Sequence, residues 1–464
     1  MRNQGEILLV SCYELGHQPF HLASLSALLR QEGYQPDCVD IAVEMLSDEQ
    51  IRRAEFVGIA VPMHTALRLG EQVIQRVRAI QPGAHICLYG LYALLNADHF
   101  LQQGLIDAAI GGEYEIPLCQ LVQALEHEKQ PLIEGVYSRQ HTSGPNLQRT
   151  PFIVPQREHL PELTNYARLQ WGDTLSVVGA TEATRGCKHT CMHCPITPIY
   201  GGRFFAIPRD IVLDDIRQQV ANGAQHITFN DPDFWNGPTH AMRILHTMHQ
   251  EFPELTFDAT IKIEHILKHR ELLPEMKTLG CAFVVSAVES LNDDVLMHLD
   301  KGHTAEDVAT AFTLMEEAGI ALRPSLLPFT PWETLESYVT LLNFFEEYHL
   351  IEHIDPVHLS IRLLIPPGSA HLSDPASQRW IADFDPDAFS YRWSHADPRM
   401  DELQTKVAAL VTQGEQCQND ALMTFFQVKA LAISMQGQRY STFRALRQYG
   451  ERKILPHLTE SWFC

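Results

Sequence analysis

Residues 185–194 read RGCKHTCMHC, which places Cys187, Cys191 and Cys194 in a C-x3-C-x2-C run. Thiolates select zinc, copper(I) or iron–sulfur clusters, and tetrahedral thiolate sites and clusters normally use four ligands. Three thiols leave one metal position open, and an open position is where a substrate or cofactor binds. His189 and His193 lie in the same run and could instead complete a zinc site. The distant paired arms that structural zinc usually employs do not accompany them. Three isolated buried thiols are a third reading.

Other chemistry-bearing residues follow apolar runs, at the strand ends where a parallel barrel carries its active site. Asn230, Asp231 and Asp233 belong to NDPD after HITFN, although a plain turn uses the same residue types. Glu289 closes AFVVSAV and could equally cap the next helix. Arg323 in ALRPSLL can grip a carboxylate bidentately or pair with a structural acid.

Two sets of elements must position these groups. In front, EILLV (6–10), PDCVDIAV (36–43), FVGIAVP (56–62), HICLYG (85–90) and IDAAIGG (106–112) alternate with helical stretches such as 21–33 and 67–80. Short apolar strands alternating with helices predict a doubly wound parallel sheet, which binds ligands outside its strands' carboxyl ends. A segment rich in Pro, Thr, Asn, Gln and Arg (138–165) reads as a linker. Six further strand candidates follow: 174–180, 226–230, 255–261, 282–288, 321–327 and 358–365. With helices between them they predict a partial (β/α)6 barrel. Thr304 with Asp307 opens the clearest helix and Gly319 stops it. The expected layout is residues 1–140 as the α/β sheet domain, 141–170 as linker, 171–395 as barrel and 396–464 as a helical C-terminal region.

The bulk numbers agree with a soluble enzyme. A chain of 464 residues exceeds one ordinary core. Lys+Arg 35 against Asp+Glu 57 gives a net charge of −22, which opposes binding to nucleic acid or an anionic membrane. No run reaches the ~18 apolar residues of a spanning helix. MRNQGEILLVSC reads as a first strand rather than a secretory signal. Ten cysteines spread through a long chain predict a reducing, cytoplasmic setting.

The cysteine run after the first strand of a partial barrel closely resembles the radical S-adenosylmethionine (SAM) enzymes. The resemblance implies that Cys187, Cys191 and Cys194 hold a 4Fe-4S cluster. In that family SAM chelates the fourth iron, and electron transfer breaks a C–S bond to give a carbon radical. It further implies that His193 packs near adenine and that Asn230, Asp231 and Asp233 meet the SAM amino group. Glu289 would bind the ribose and Arg323 the SAM carboxylate. IPPGS (365–369) resembles the family's Pro-Gly turn near adenine, whereas FTPWET (329–334) departs from the usual glycine-rich turn.

Residues 15–40 resemble the start of the cobalamin-binding domain that precedes the barrel in one large radical SAM subgroup. The D-x-H-x-x-G stretch that supplies a cobalt ligand is absent, which leaves cobalamin open; His17, His21 and His64 are loop histidines, more often surface or packing residues than ligands. The ending LTESWFC resembles a group with a Cys-Cys-Ala-Glu-Pro tail, or its selenocysteine form, and implies a catalytic role for Cys464. On that likeness the chain stops where a selenocysteine codon was read as stop, and an in-frame UGA followed by codons for Ala-Glu-Pro tests it. The leading expectation is therefore a cytoplasmic radical SAM enzyme, fed electrons by flavodoxin or ferredoxin. It would transfer an alkyl or 3-amino-3-carboxypropyl group to a small molecule, with arsenic as a candidate acceptor. The alternative is a cobalamin-dependent methyltransferase, and a rival of another class is a zinc- or metalloid-binding sensor.

Overall fold

The computed structural model describes residues 1–127, 132–149, 151–450 and 452–460. Its front half is a six-stranded sheet of β1 (Ile7–Ser11), β2 (Asp37–Asp40), β3 (Phe56–Ala60), β4 (His85–Tyr89), β5 (Ala108–Ile110) and β6 (Val136–Ser138). The order is β2-β1-β3-β4-β5-β6, with β1 to β5 parallel and β6 antiparallel to β5. Every residue of β1 and β3 is buried. Both faces of such a sheet are covered, so its strands read as continuous apolar runs rather than alternating ones. Helices Phe20–Gln31 and Glu115–Glu126 cover one face, and His64–Ile80 and Ala97–Gln103 cover the other. Strand order reverses between β1 and β3, which opens a crevice beyond their carboxyl ends.

The second sheet curls into a half-barrel. It comprises β7 (Arg168–Trp171), β8 (Thr174–Thr181), β11 (His226–Phe229), β12 (Thr256–Thr260), β13 (Cys281–Glu289), β14 (Ala321–Leu326) and β17 (His457–Leu458). A small hairpin of β9 (Thr184–Gly186) and β10 (Phe204–Ala206) follows β8. A second hairpin, β15 (Ile381–Asp385) and β16 (Ser390–Trp393), precedes the C-terminal helices. The curled sheet runs β14-β13-β12-β11-β8-β7-β17, and its five strands from β8 to β14 are parallel. The sixth barrel strand, expected over 358–365, is a rudiment. Phe329 N donates to Ile361 O and Leu363 N to Phe329 O, but only one parallel bridge, Phe329 with Arg362, forms. The rest of that apolar run turns to the second hairpin, where Tyr391 N donates to Ile365 O.

The segment read as a linker is packed. Arg157 and Asp215 form an ion pair at 2.6 Å with both side chains 1% exposed. Arg157 also donates to Gln18 Oε1 and Ala180 O, so one side chain joins the two sheets. Phe389, at the turn of the second hairpin, is fully buried in the front domain's core and stacks on Phe100. Helices Pro398–Gln416, Ala421–Met435 and Thr442–Gln448 pack on the barrel's outer core. No described helix is long and apolar enough to cross a membrane.

Candidate functional site

The cysteine run leaves the carboxyl end of β8 and is held by groups that follow β11. Asp231 accepts from Ala183 N at 2.9 Å and from Thr184 Oγ1 at 2.6 Å, which fixes the exit from β8. Burial raises the Asp231 carboxyl to about 7 against these hydrogen bonds. Asn236 accepts from Lys188 N at 3.2 Å and donates to Gly186 O at 3.3 Å, so one amide spans the approach to Cys187. Cys187, Cys191 and Cys194 are all unpaired thiols. Cys187 and Cys194 are raised to about 11 and about 12, by burial first and by charge on the neighbouring thiols as well. A metal must displace those protons, so its binding is coupled to pH.

Two buried lysines stand against the thiols. Lys262 Nζ donates to Cys191 Sγ at 3.9 Å and lies 3.6 Å from Glu264. Lys301, 3% exposed, donates to Glu289 Oε1 at 3.0 Å. Burial works against its ammonium, yet Glu289 and the thiols Cys191 and Cys194 raise its pKa. Glu289 also lies 3.2 Å from His193 Nε2. Burial opposes its charge, but Lys301 and His193 hold its carboxyl well below the usual range. The Glu289 backbone has φ 65° where the β13–β14 register shifts, a left-handed conformation uncommon outside glycine.

The remaining expected residues divide. Asn230 lines the cleft described below. Asp233 faces His265 and His189, which overcome its burial and hold it at about 2. Arg323 is engaged within the fold: its guanidinium pairs with Asp355 at 2.6 Å and donates to Glu352 O. Its position in mid-strand, three residues before the end of β14, explains why it is spent on packing. Cys464 lies outside the described residues.

A cleft of about 210 Å³ opens between the carboxyl ends of the two sheets. The front domain contributes Leu15, Met63, Gly90, Leu91 and Gly112, and the barrel contributes Glu182, Arg185, Ile196 and Asn230. Beneath it, Arg185 pairs with Glu115 at 2.7 Å, Glu182 at 2.9 Å and Glu113 at 3.4 Å. Tyr200 donates to Glu113, whose carboxyl burial pushes up to about 7. Of the front-domain histidines, His21 lines this cleft. His21 lies 3.1 Å from Glu14 and stacks on Tyr114, while His64 contacts Ala388 O at 2.7 Å. His17 is buried, which lowers it to about 4.

Residues 181–345, from the end of β8 past β14 into the helix Leu335–Glu347, match the radical SAM superfamily. The barrel is a radical SAM domain. The chain is accordingly an enzyme, and the superfamily's cofactors are a 4Fe-4S cluster and SAM. An uncharacterized methyltransferase of Pyrococcus horikoshii is 20% identical over 344 residues, 70% of this chain and 72% of that one. The hopanoid C-3 methylase of Methylococcus capsulatus is 23% identical over 325 residues, 68% of this chain and 62% of its own length. The cobalamin-dependent SAM radical enzyme OxsB, solved with aqua-cobalamin, superposes with a TM-score of 0.71 at 14% identity, over 96% of this chain and 74% of its own. The radical SAM methyltransferase TsrM of Kitasatospora setae, solved with tryptophan and a SAM analogue, gives 0.63 at 17%, over 74% and 71%. At these identities the structural likeness concerns the fold: a doubly wound sheet before a radical SAM barrel.

Several residues that the fold brings beside the cysteine run carry no signal in the sequence motif itself. Lys262 follows the end of β12, where strand-end position was the available signal, whereas Lys301 comes only after the helix Asp293–His298 that follows β13. Asn236 lies three residues past NDPD, and Arg185 immediately precedes the first cysteine's glycine.

Proposed function

We propose that this chain is a cobalamin-dependent radical SAM methyltransferase acting on a small molecule. The cleft between the two sheets supports this reading most directly, because it joins the front domain's strand ends to the cysteine side of the barrel. It displaces aminocarboxypropyl transfer to arsenic, which neither the relatives nor the fold favours. Cys187, Cys191 and Cys194 would hold the cluster: three unpaired thiols with adjoining lysine charge suit an anionic iron–sulfur group. Leu15, Met63, Leu91 and the bare backbone of Gly90 and Gly112 would receive the corrinoid from the front-domain side. The cleft is smaller than the roughly 300–1,000 Å³ of ordinary ligand sites, so a corrinoid would extend through its open side. When bound, the cluster with SAM supplies reductive bond cleavage and the corrinoid supplies a methyl carrier.

The protein's own residues would orient and shield. Asn236 and Asp231 fix the cysteine loop, and Glu289 with Lys301 and His193 presents a charged edge for SAM. Asn230 faces the cleft and would contact the SAM amino end. The strand β17 is antiparallel to β7, which is antiparallel to β8, so β17 points toward the cysteine end of the barrel. A substrate-handling role for Cys464 would rest on the likeness of LTESWFC to a Cys-Cys-Ala-Glu-Pro tail. A flavodoxin or ferredoxin would be the electron donor. The deciding experiment is anaerobic reconstitution with cobalamin, followed by analysis of bound corrinoid and of the SAM fragments. Bound corrinoid with S-adenosylhomocysteine among the products is expected. Methylthioadenosine without corrinoid binding would restore aminocarboxypropyl transfer and refute methyl transfer.

A further inference from the structure

Beside the cysteine loop, three elements bring His189, Asp233 and His265 together: the loop itself, the turn after β11 and the helix Ile263–Lys268. Their donor atoms all lie within 4.8 Å of one another. Asp233 Oδ2 is 2.6 Å from His265 Nδ1 and 3.5 Å from His189 Nε2. Asp233 and His265 are fully buried. Yet Asp233 Oδ2, His189 Nε2 and His265 Nδ1 make no hydrogen bond of normal direction. The other Asp233 oxygen accepts from Trp235 N at 3.2 Å, which fixes the carboxylate so that Oδ2 faces the two imidazoles. The imidazoles are tilted by 56° with centroids 4.9 Å apart, so they do not stack face to face.

Buried polar atoms left without aligned partners are costly, and three converging on one volume are costlier still. A divalent ion satisfies all three at once. Two imidazole nitrogens and one carboxylate oxygen form the donor set of a three-ligand zinc or iron(II) site with an open position. Glu264 Oε2 lies 3.7 Å from His189 Nδ1, the ring nitrogen that points away, where an orienting carboxylate belongs.

We propose that His189, Asp233 and His265 bind a divalent transition-metal ion distinct from whatever the three cysteines hold. The ion ties the loop after β8 to the turn after β11 and the helix after β12. It thereby braces the cysteine loop, and it does so independently of the methyltransferase reading. Zinc is the probe. Full-length protein carrying its cluster is equilibrated with zinc, desalted, and assayed for zinc and iron by elemental mass spectrometry. Zinc X-ray absorption then reports the ligands. The expected result is one zinc per chain, with nitrogen and oxygen at about 2.0–2.1 Å and no sulfur at about 2.3 Å. His265→Gln is expected to lose the zinc while iron stays at about four per chain. His189→Gln, at the more exposed edge, serves if His265→Gln fails to fold. A sulfur shell, absence of tight zinc, or undiminished zinc in a folded variant overturns the assignment.

Discussion

Lys262→Met tests whether the lysine beside Cys191 sets the electronic character of the cysteine site. Methionine keeps much of the side-chain length but removes the ammonium that stands 3.9 Å from the thiol sulfur. Reduction adds one negative charge to a bound cluster, and a nearby positive charge favours it. At an effective dielectric constant of 20, a unit charge at that separation is worth about 4 kcal/mol. The added electron is spread over the cluster, and doubling the mean separation gives about 2 kcal/mol. With 59 mV for each tenfold change in a one-electron equilibrium, the interaction corresponds to roughly 90–180 mV. Glu264 lies 3.6 Å from the same ammonium and reduces the net effect, so the lower end is expected. The assay is a redox titration of reconstituted protein, followed by electron paramagnetic resonance of the reduced cluster. The midpoint should fall by about 90 mV or somewhat less. A midpoint shift below about 30 mV, or one toward higher potential, refutes the argument that Lys262 acts on the cluster electrostatically.

Cys191→Ala should reduce the iron content of reconstituted protein to background and abolish SAM cleavage under dithionite. Iron analysis and chromatography of the SAM fragments read both. Asp231→Asn should change how stability depends on pH. The carboxyl is raised by burial to about 7, so its contribution is present at low pH and is lost as pH climbs through 7. The variant's melting temperature relative to the native protein should therefore rise between about pH 4 and 7; a constant difference would count against the buried proton. Gly112→Ala should destabilise the front sheet. Its φ is +76° and an added Cβ would stand 2.2 Å from the Asn146 carbonyl oxygen. The left-handed backbone alone costs about 1–2 kcal/mol, whereas Gly83→Ala, whose Cβ meets nothing, should leave the denaturation midpoint unchanged.

Much of the scaffold was legible because buried parallel strands are short continuous apolar runs, and ILLVS, FVGIA and HICLY announce themselves. The cysteine run was equally plain, since three thiols in eight residues have few explanations. The strands β7 and β17 were not legible. Their pairing joins residues nearly 290 positions apart, and neither has a distinctive local pattern. The run 358–365 misled for a related reason: an apolar segment can satisfy its backbone against a hairpin as readily as against a barrel neighbour. Arg157 sits in a polar, proline-containing stretch, yet it makes a buried contact with Gln18 of the front domain. Lys262 and Lys301 look like surface lysines until the fold brings thiols and a carboxylate beside them.

Glu289 brings these themes together. A non-glycine residue held at positive φ costs about 1–3 kcal/mol and persists only when its surroundings over-determine it. Here those surroundings can be named. Leu327 N donates to the Glu289 carbonyl at 2.8 Å, so the strained peptide remains tied into the sheet. The shifted register of β13 brings the carboxylate to Lys301 and His193. Removing one member of a buried pair typically costs about 3–5 kcal/mol, more than the strain. The pair therefore suffices to hold the backbone in its unusual conformation. The converse also holds, because Lys301 is 3% exposed and needs a nearby carboxylate to remain charged beside the thiols. An ordinary strand ending would turn Glu289 away and leave that ammonium unpaired. The strain at this one residue thus maintains positive charge at the cysteine site, where a negatively charged cluster would need it.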